Sequence, residues 1–405
     1  MINHYLQYDN STFTRKTAFF LCGIFACICD LQPIPKTFSL ACLLPIIYCI
    51  YASKISDKPE SLYIEGKSFL AWYGTFVIYV CISALWSPNS INFSTNDTEN
   101  TIFVYKRILI PLFLTSFYFL LKPSLKEFFY TLQGLKIGAF LSCITVLIYE
   151  KNLIGFSRLG AISYGAGPTF GNVAVLGCAI TIYFILAKVN VKLNILLFIF
   201  FFISIVLSAS RQPLACVIIY VSVILLLKQR INFFSIFKYS SIILILLSIT
   251  IYSALNIDLF YDIIGYRIEE FFSREDGSDI ERTIMRSFAI NLFISKPITG
   301  IGIHGFAALF GHWYGWTVWS HCGYTEILSC YGIIGFVLFY RYFFNSFKSS
   351  YLMLQQNRLL GALFFSFLIN TLFFDIFYVT FLDVRSVFLM GIILKPCFFQ
   401  EHNVI

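Results

Sequence analysis

A succession of apolar runs, each close to the roughly 20 residues that carry a helix across a bilayer, leaves this chain few folds to choose from. About twelve such runs can be marked, at 17–34, 37–54, 67–87, 102–121, 127–149, 168–187, 192–209, 213–229, 239–256, 324–346, 360–381 and 383–399. Backbone polar groups in lipid must be satisfied within the segment, so each run predicts a helix. Only 12% of the residues are charged, about half the usual share of a soluble domain. The expected fold class is therefore an all-α, polytopic membrane protein, with one long outer loop containing short helices.

The basic residues orient these runs. With the N-terminus cytoplasmic, the positive-inside rule is met by Lys54, Lys58 and Lys67, by Lys122 and Lys126, by Lys188 and Lys192, by Lys228, Arg230 and Lys238, and by Arg341, Lys348 and Arg358, all in inner connections. The outer connections include 87–101 and the segment 257–323, which carries five Lys/Arg against eight Asp/Glu. The chain thus divides into helices 1–9 (1–256), an outer loop (257–323), and helices 10–12 with a cytoplasmic C-terminus (324–405). Inside the loop, 258–272 and 279–295 alternate apolar and charged residues at helical spacing. Ser295, Lys296 and Pro297 stop the second of these helices.

Several function classes drop out. The net charge of +8 comes in short clusters between apolar runs, without the basic stripe or stacking platform of a nucleic-acid partner. Eleven of the 12 cysteines lie in or beside apolar runs and only Cys322 lies in the polar segment; no CxxC pair has metal spacing, so they read as small apolar residues of helices. His304, His312 and His321 are irregularly spaced, and neither a metal site nor a cofactor is expected. Gly300, Gly302 and Gly305 match G-x-G-x-x-G in letters, but no strand precedes them, so they read as turn glycines. Arg15 and Lys16 precede an apolar run with no small-residue cleavage site, so the first span is expected to stay as an anchor. No internal repeat of the transporter kind is visible.

Chemistry on the outer side has to draw on few residues. Arg282 and Arg286 are four apart and share one helix face. Two guanidiniums so placed make a fork for phosphate or pyrophosphate, and the same spacing fits ion pairs with Asp279 or Glu281. Arg211 stands in the tight outer turn Ser208–Pro213, where a charge either points into a protein cavity or snorkels. Arg158 lies in another outer turn with Tyr164, ahead of Gly167 and Gly171. Glycines there let backbone approach a ligand, and a plain connector fits equally. His321 opens the tenth span, with Ser320 as its cap. In a first helical turn the dipole favours the neutral imidazole, which can serve as a general base; an interfacial histidine with a satisfied hydrogen bond is the plainer reading. Glu326 is placed to orient that histidine or to pair with an arginine. Trp313, Tyr314, Trp316 and Trp319 are flat faces for sugar rings, or an aromatic belt at the membrane surface.

Read in order, these motifs resemble one family. Ser210 and Arg211 sit at a short outer turn; Arg282 precedes Asn291 to Pro297 and then Gly300 and Gly302; His321, Glu326, Gly332 and Gly335 lead into a span. Order and topology together resemble the O-antigen ligase and polymerase superfamily of bacterial inner-membrane glycosyltransferases, over roughly residues 156–340. The resemblance implies a metal-independent, inverting glycosyl transfer in lipopolysaccharide biosynthesis, on the periplasmic side. The donor is a glycan on undecaprenyl pyrophosphate. Arg211 and Arg282 would hold the pyrophosphate and His321 would deprotonate the acceptor hydroxyl, with Arg158, Arg286, Glu326, Tyr164 and Trp319 as the substrate-binding set. A chain-length regulator is an implied partner. The Gly332–Gly335 end, the short histidine loop and the Phe- and Ile-rich sequence look more like an O-antigen polymerase, whose acceptor is a second lipid-linked repeat unit, than a ligase, whose acceptor is the lipid A core. In one departure, Cys322 follows His321 where many relatives have Asn, which puts acceptor binding in doubt. A flippase or transporter for the lipid-linked unit is the reading from another class. It predicts charges deep in the spans and repeated in two halves, whereas here only a few, such as Asp30 and Asp375, sit deeper.

Overall fold

The computed structural model describes residues 13–55, 68–88, 95–121, 123–153, 159–160, 162–164, 167–228 and 277–393, and the single residues 248, 252, 256, 261 and 265. Apart from those single residues, the expected span 239–256 and the expected helix 258–272 lie outside the described residues. The described helices are α1 (Phe13–Ile28), α2 (Lys36–Ala41), α3 (Leu44–Ile55), α4 (Thr75–Ile82), α5 (Thr95–Leu120), α6 (Leu125–Tyr149), α7 (Gly167–Leu186), α8 (Val191–Leu207), α9 (Arg211–Lys228), α10 (Gly277–Ser295), α11 (Gly305–Tyr314), α12 (Gly323–Gln356), α13 (Arg358–Asp375) and α14 (Val384–Ile393). No strand occurs among the described residues. Five of the helices, α6, α7, α9, α12 and α13, are long and apolar enough to cross a membrane. Phe13, Leu85 and Phe344 are each more than four-fifths exposed, as side chains that face lipid rather than water can be.

Polar side chains tie this bundle at its helix ends. Ser124 and Glu127 form a capping box at the start of α6. Glu127 also takes the Arg15 Nε–H at 2.7 Å, joining the start of α1 to the start of α6. At the other end of α6, the buried Glu150 accepts the backbone N–H groups of Gly160 and Ser163, both at 2.7 Å, and so shapes the turn that carries Tyr164. The deeper charges are partnered as well. Asp30 pairs with Arg107, Lys136 donates to Asn194 Oδ1 at 2.8 Å, and Asp375 accepts from Tyr340 and Thr380. These charges act as ties within the bundle.

α12 is broken, and the break explains half of the glycine pattern. Gly332 has φ 62° and ψ −166°, a region open essentially only to glycine. In an unbroken helix the N–H groups of Ile333 and Ile334 would donate to Ser329 and Cys330. Here they donate instead to the carbonyls of Pro297 (2.9 Å) and Ile298 (3.3 Å). The freed carbonyls of Ser329 and Cys330 accept from Ile301 (2.9 Å) and Gly302 (2.8 Å). The Tyr79 hydroxyl donates to the carbonyls of Thr299 and Tyr331. Two intrahelical bonds are thus replaced by four bonds to the segment 297–302, which satisfies a broken helix inside protein. A Cβ on Gly300 would lie 2.4 Å from the Cys330 carbonyl carbon, so the segment can seat only as it is.

Candidate functional site

The turn that follows α13 gathers the outer motifs. Gln212, beside Arg211 in the first turn of α9, donates Nε2 to the Phe374 carbonyl at 3.4 Å. Arg286 on α10 donates Nη2 to the Ile376 carbonyl at 2.8 Å, and its guanidinium lies 5.9 Å from the Phe377 ring centre. Gly323, the first residue of α12, donates its N–H to the Tyr378 carbonyl at 3.0 Å. Thr169, at the start of α7, meets the Tyr378 hydroxyl at 3.2 Å. Four elements that carry expected site residues or their neighbours therefore meet one five-residue turn, 374–378. Burial pushes the Tyr378 phenol up from its ordinary range, so it remains a hydroxyl.

His321 is held in an unusual backbone conformation at this end. Its φ is 54°, a left-handed value uncommon outside glycine. On one side the Ser320 N–H donates to Glu326 Oε2 at 2.8 Å, and on the other Gly323 is fixed by Tyr378. The Gly323 position tolerates no side chain, because a Cβ there would stand 2.1 Å from Asp375 Oδ1. Two buried carboxylates, Glu326 and Asp375, thus bracket the histidine loop. A non-glycine residue kept left-handed by its surroundings is a recognised mark of a functional position.

The structure corrects several expectations. α12 begins at Gly323 with Cys322 as its N-cap, so His321 precedes the helix instead of lying in its first turn. Ser320 is not the cap: its hydroxyl donates to the Cys322 carbonyl at 2.9 Å and shapes the loop. Glu326 meets no arginine in its hydrogen bonds; it accepts from the Ser320 N–H and from the Cys330 thiol, and so holds the residue that precedes His321. Arg286 spends Nη2 on a carbonyl rather than on Glu281. Tyr164 is buried rather than open on an outer turn, with the Arg385 guanidinium 5.8 Å over its ring. Gly171 approaches the Ser208–Pro213 turn, not a ligand, since its Cβ would meet Pro213 Cγ at 2.4 Å.

Other expectations keep their place. Arg282 and Arg286 are both half-buried on α10, with Met285 and Ala289 buried beside them, so they share the face turned to the bundle. α10 ends at Ser295, where Pro297 was expected to stop it. Trp319 is half-buried with its ring 5.0 Å from that of His304, while Trp313 and Trp316 are exposed. Arg158 lies outside the described residues. Sequence reasoning missed Tyr378, which sits in the aromatic run 373–378 without a motif of its own. It also missed Asp383 and Arg385, whose signal was charge at the start of an apolar run.

A family model described as O-antigen ligase matches residues 196–340. The matched region contains Arg211, Arg282, Arg286, Trp319, His321 and Glu326, and leaves Tyr164 and the turn 374–378 outside. No curated protein matches the chain. The match supports the O-antigen ligase and polymerase superfamily, whose members are glycosyltransferase-like enzymes acting on lipid-linked sugars. With the apolar helices, it marks the chain as a membrane protein.

Proposed function

We propose that this protein is an O-antigen polymerase of the bacterial inner membrane. It transfers the growing glycan from undecaprenyl pyrophosphate to a lipid-linked repeat unit on the periplasmic side, with both termini cytoplasmic. The observation that carries the reading is the docking of the Arg211 turn, the Arg286 face and the His321 loop onto one turn, 374–378, together with the family match across all three motifs.

The step needs three things from the chain. Cations must neutralise the charge that grows on the leaving pyrophosphate, a role for Arg211 and Arg282, with Arg286 and Arg158 beside the donor. A base must take the proton from the acceptor hydroxyl, a role for His321. That base must be aimed, a role for Glu326 acting through Ser320. The hydroxyl oxygen then attacks the anomeric carbon from the face opposite the leaving group. The bond to the diphosphate oxygen breaks, undecaprenyl pyrophosphate keeps the electron pair, and the anomeric centre inverts. Trp313 and Trp316 are exposed and would offer flat faces to sugar rings, with Trp319 set deeper against His304. A chain-length regulator is a proposed partner.

The ligase reading is kept because the matching family carries that description. Deleting the gene in its own host and running the lipopolysaccharide on a gel separates the readings. Core bearing one repeat unit, with the ladder gone, supports polymerase. Loss of all O-antigen, with long lipid-linked chains accumulating, supports ligase. An unchanged ladder removes both.

A further inference from the structure

A small cavity of about 50 Å³ lies among α7, α9, α13 and α14. On that measure it has room for roughly four waters, or a group of about four heavy atoms. Its polar lining includes Asn172, Asn370, Thr371, Asp383, Arg385 and Ser386, and its apolar wall includes Leu176, Phe367 and Leu389. Phe374 also lines it, and the carbonyl of Phe374 accepts from Gln212. The cavity therefore adjoins the turn that carries Arg211.

The polar atoms there are incompletely used. Arg385 donates Nε and Nη2 to Asp383 Oδ1 (2.8 and 2.6 Å), while its buried Nη1 has no partner. Asn370 donates Nδ2 to the Ser366 carbonyl, and its buried Oδ1 has no partner. Asn172 Oδ1 is buried and unpartnered in the same way. Arg385 and Asn370 are only 4% and 2% exposed. Buried polar atoms are normally paired, so one donor and two acceptors at one cavity describe a complementary guest. Asp383 already balances the charge of Arg385, which argues against an anion and for an uncharged group.

We propose that this cavity binds the acetamido group of an N-acetylated sugar on the lipid-linked substrate. Its carbonyl accepts from Arg385 Nη1, its N–H is shared between Asn370 Oδ1 and Asn172 Oδ1, and its methyl meets the apolar wall. The assignment rests on the glycosyl-transfer reading above and adds a determinant of which sugar is accepted. It uses residues outside the matched 196–340 region.

The test is ligand-induced stabilisation of the purified full chain in detergent, read as a binding curve. The probes are undecaprenyl pyrophosphate, its N-acetylglucosamine conjugate and its glucose conjugate. The expected result is that all three bind and that the N-acetylglucosamine conjugate binds at least about tenfold tighter than the glucose conjugate, since a site built to hydrogen-bond an N–H disfavours the analogue that lacks it. Asn370→Leu should remove that preference and keep binding of the sugar-free lipid. If Asn370→Leu does not fold, Asn172→Leu is read in its place, and the wild-type comparison of the two sugars stands without either. Equal binding of both conjugates, or a preference that survives the substitution, overturns the cavity assignment alone. Failure of all three lipids to bind overturns the donor reading and the cavity with it.

Discussion

At the break in α12 the displaced backbone groups have found partners, all four within 3.3 Å. Around the turn 374–378 the balance is different. Arg286 engages one carbonyl and keeps a buried Nε without a partner, and His321 holds a left-handed backbone between two clamps. The first region is built from main chain and glycines, so its sequence signature reports on fit. The second brings elements with candidate site residues onto one turn through main-chain carbonyls, and its signature is the one the proposed chemistry draws on. Both lie in the same stretch of sequence and look equally motif-like there. The lesson is that Gly300, Gly302 and Gly332 are structural, and that they fix the segment 297–302, which lies between the arginine-bearing α10 and the His321 loop in the chain.

This contrast can be broken at several points. The largest effect is expected at the weld. Gly332→Val demands a conformation that costs a non-glycine residue about 1–3 kcal/mol and places Cβ 2.3 Å from the Ile298 carbonyl oxygen. Monodisperse protein should be lost on extraction from the membrane; a wild-type yield and melting temperature would show that the weld does not hold the loop. Next come Arg211→Ala, Arg282→Ala and His321→Ala. Each should lower transfer by roughly a hundredfold or more while membrane insertion and melting stay near wild type. Wild-type glycan length in all three at matched expression would sink the mechanism. Arg282→Lys should also fail if the contact is a bidentate fork, and full activity would leave only a point charge.

Smaller effects sharpen the comparison. Glu326→Gln keeps the shape but puts an amide nitrogen in place of one of the two oxygens that accept from the Ser320 N–H and the Cys330 thiol. A drop of roughly tenfold in turnover, about 1.4 kcal/mol of barrier, is expected, with KM for the donor little changed. A change in KM alone would mean that Glu326 does not act through His321. Tyr378→Phe removes only the contact with Thr169. It should cost about 0.5–1.5 kcal/mol of stability in denaturant or thermal melts and change transfer by no more than a few fold.

Much of this architecture was legible in the sequence because its signals are local. Pro297 marks the end of α10, and Ser124 with Glu127 caps α6 within one turn. Arg282 and Arg286 share a face by spacing alone. What was not legible depends on contacts distant along the chain. Gly332 gives no hint that its helix opens to accept residues 297–302, because the exchanged hydrogen bonds are main-chain and carry no residue code. Glu326 was five residues from His321, a poor spacing for side-chain contact, and it reaches the loop through Ser320 instead. Tyr378 lay hidden in an aromatic run. Nothing local to Tyr164 shows that the Arg385 guanidinium, more than 200 residues on, lies over its ring.

The central claim is that the arginines hold the donor while His321 performs the proton transfer, two roles assembled on one turn. It is tested most directly by measuring donor binding and transfer together, in purified His321→Ala and Arg282→Ala proteins given lipid-linked repeat units. His321→Ala should bind the lipid-linked donor within a few fold of wild type and form no polymer, and Arg282→Ala should lose both. Polymer made by His321→Ala at the wild-type rate would contradict the account.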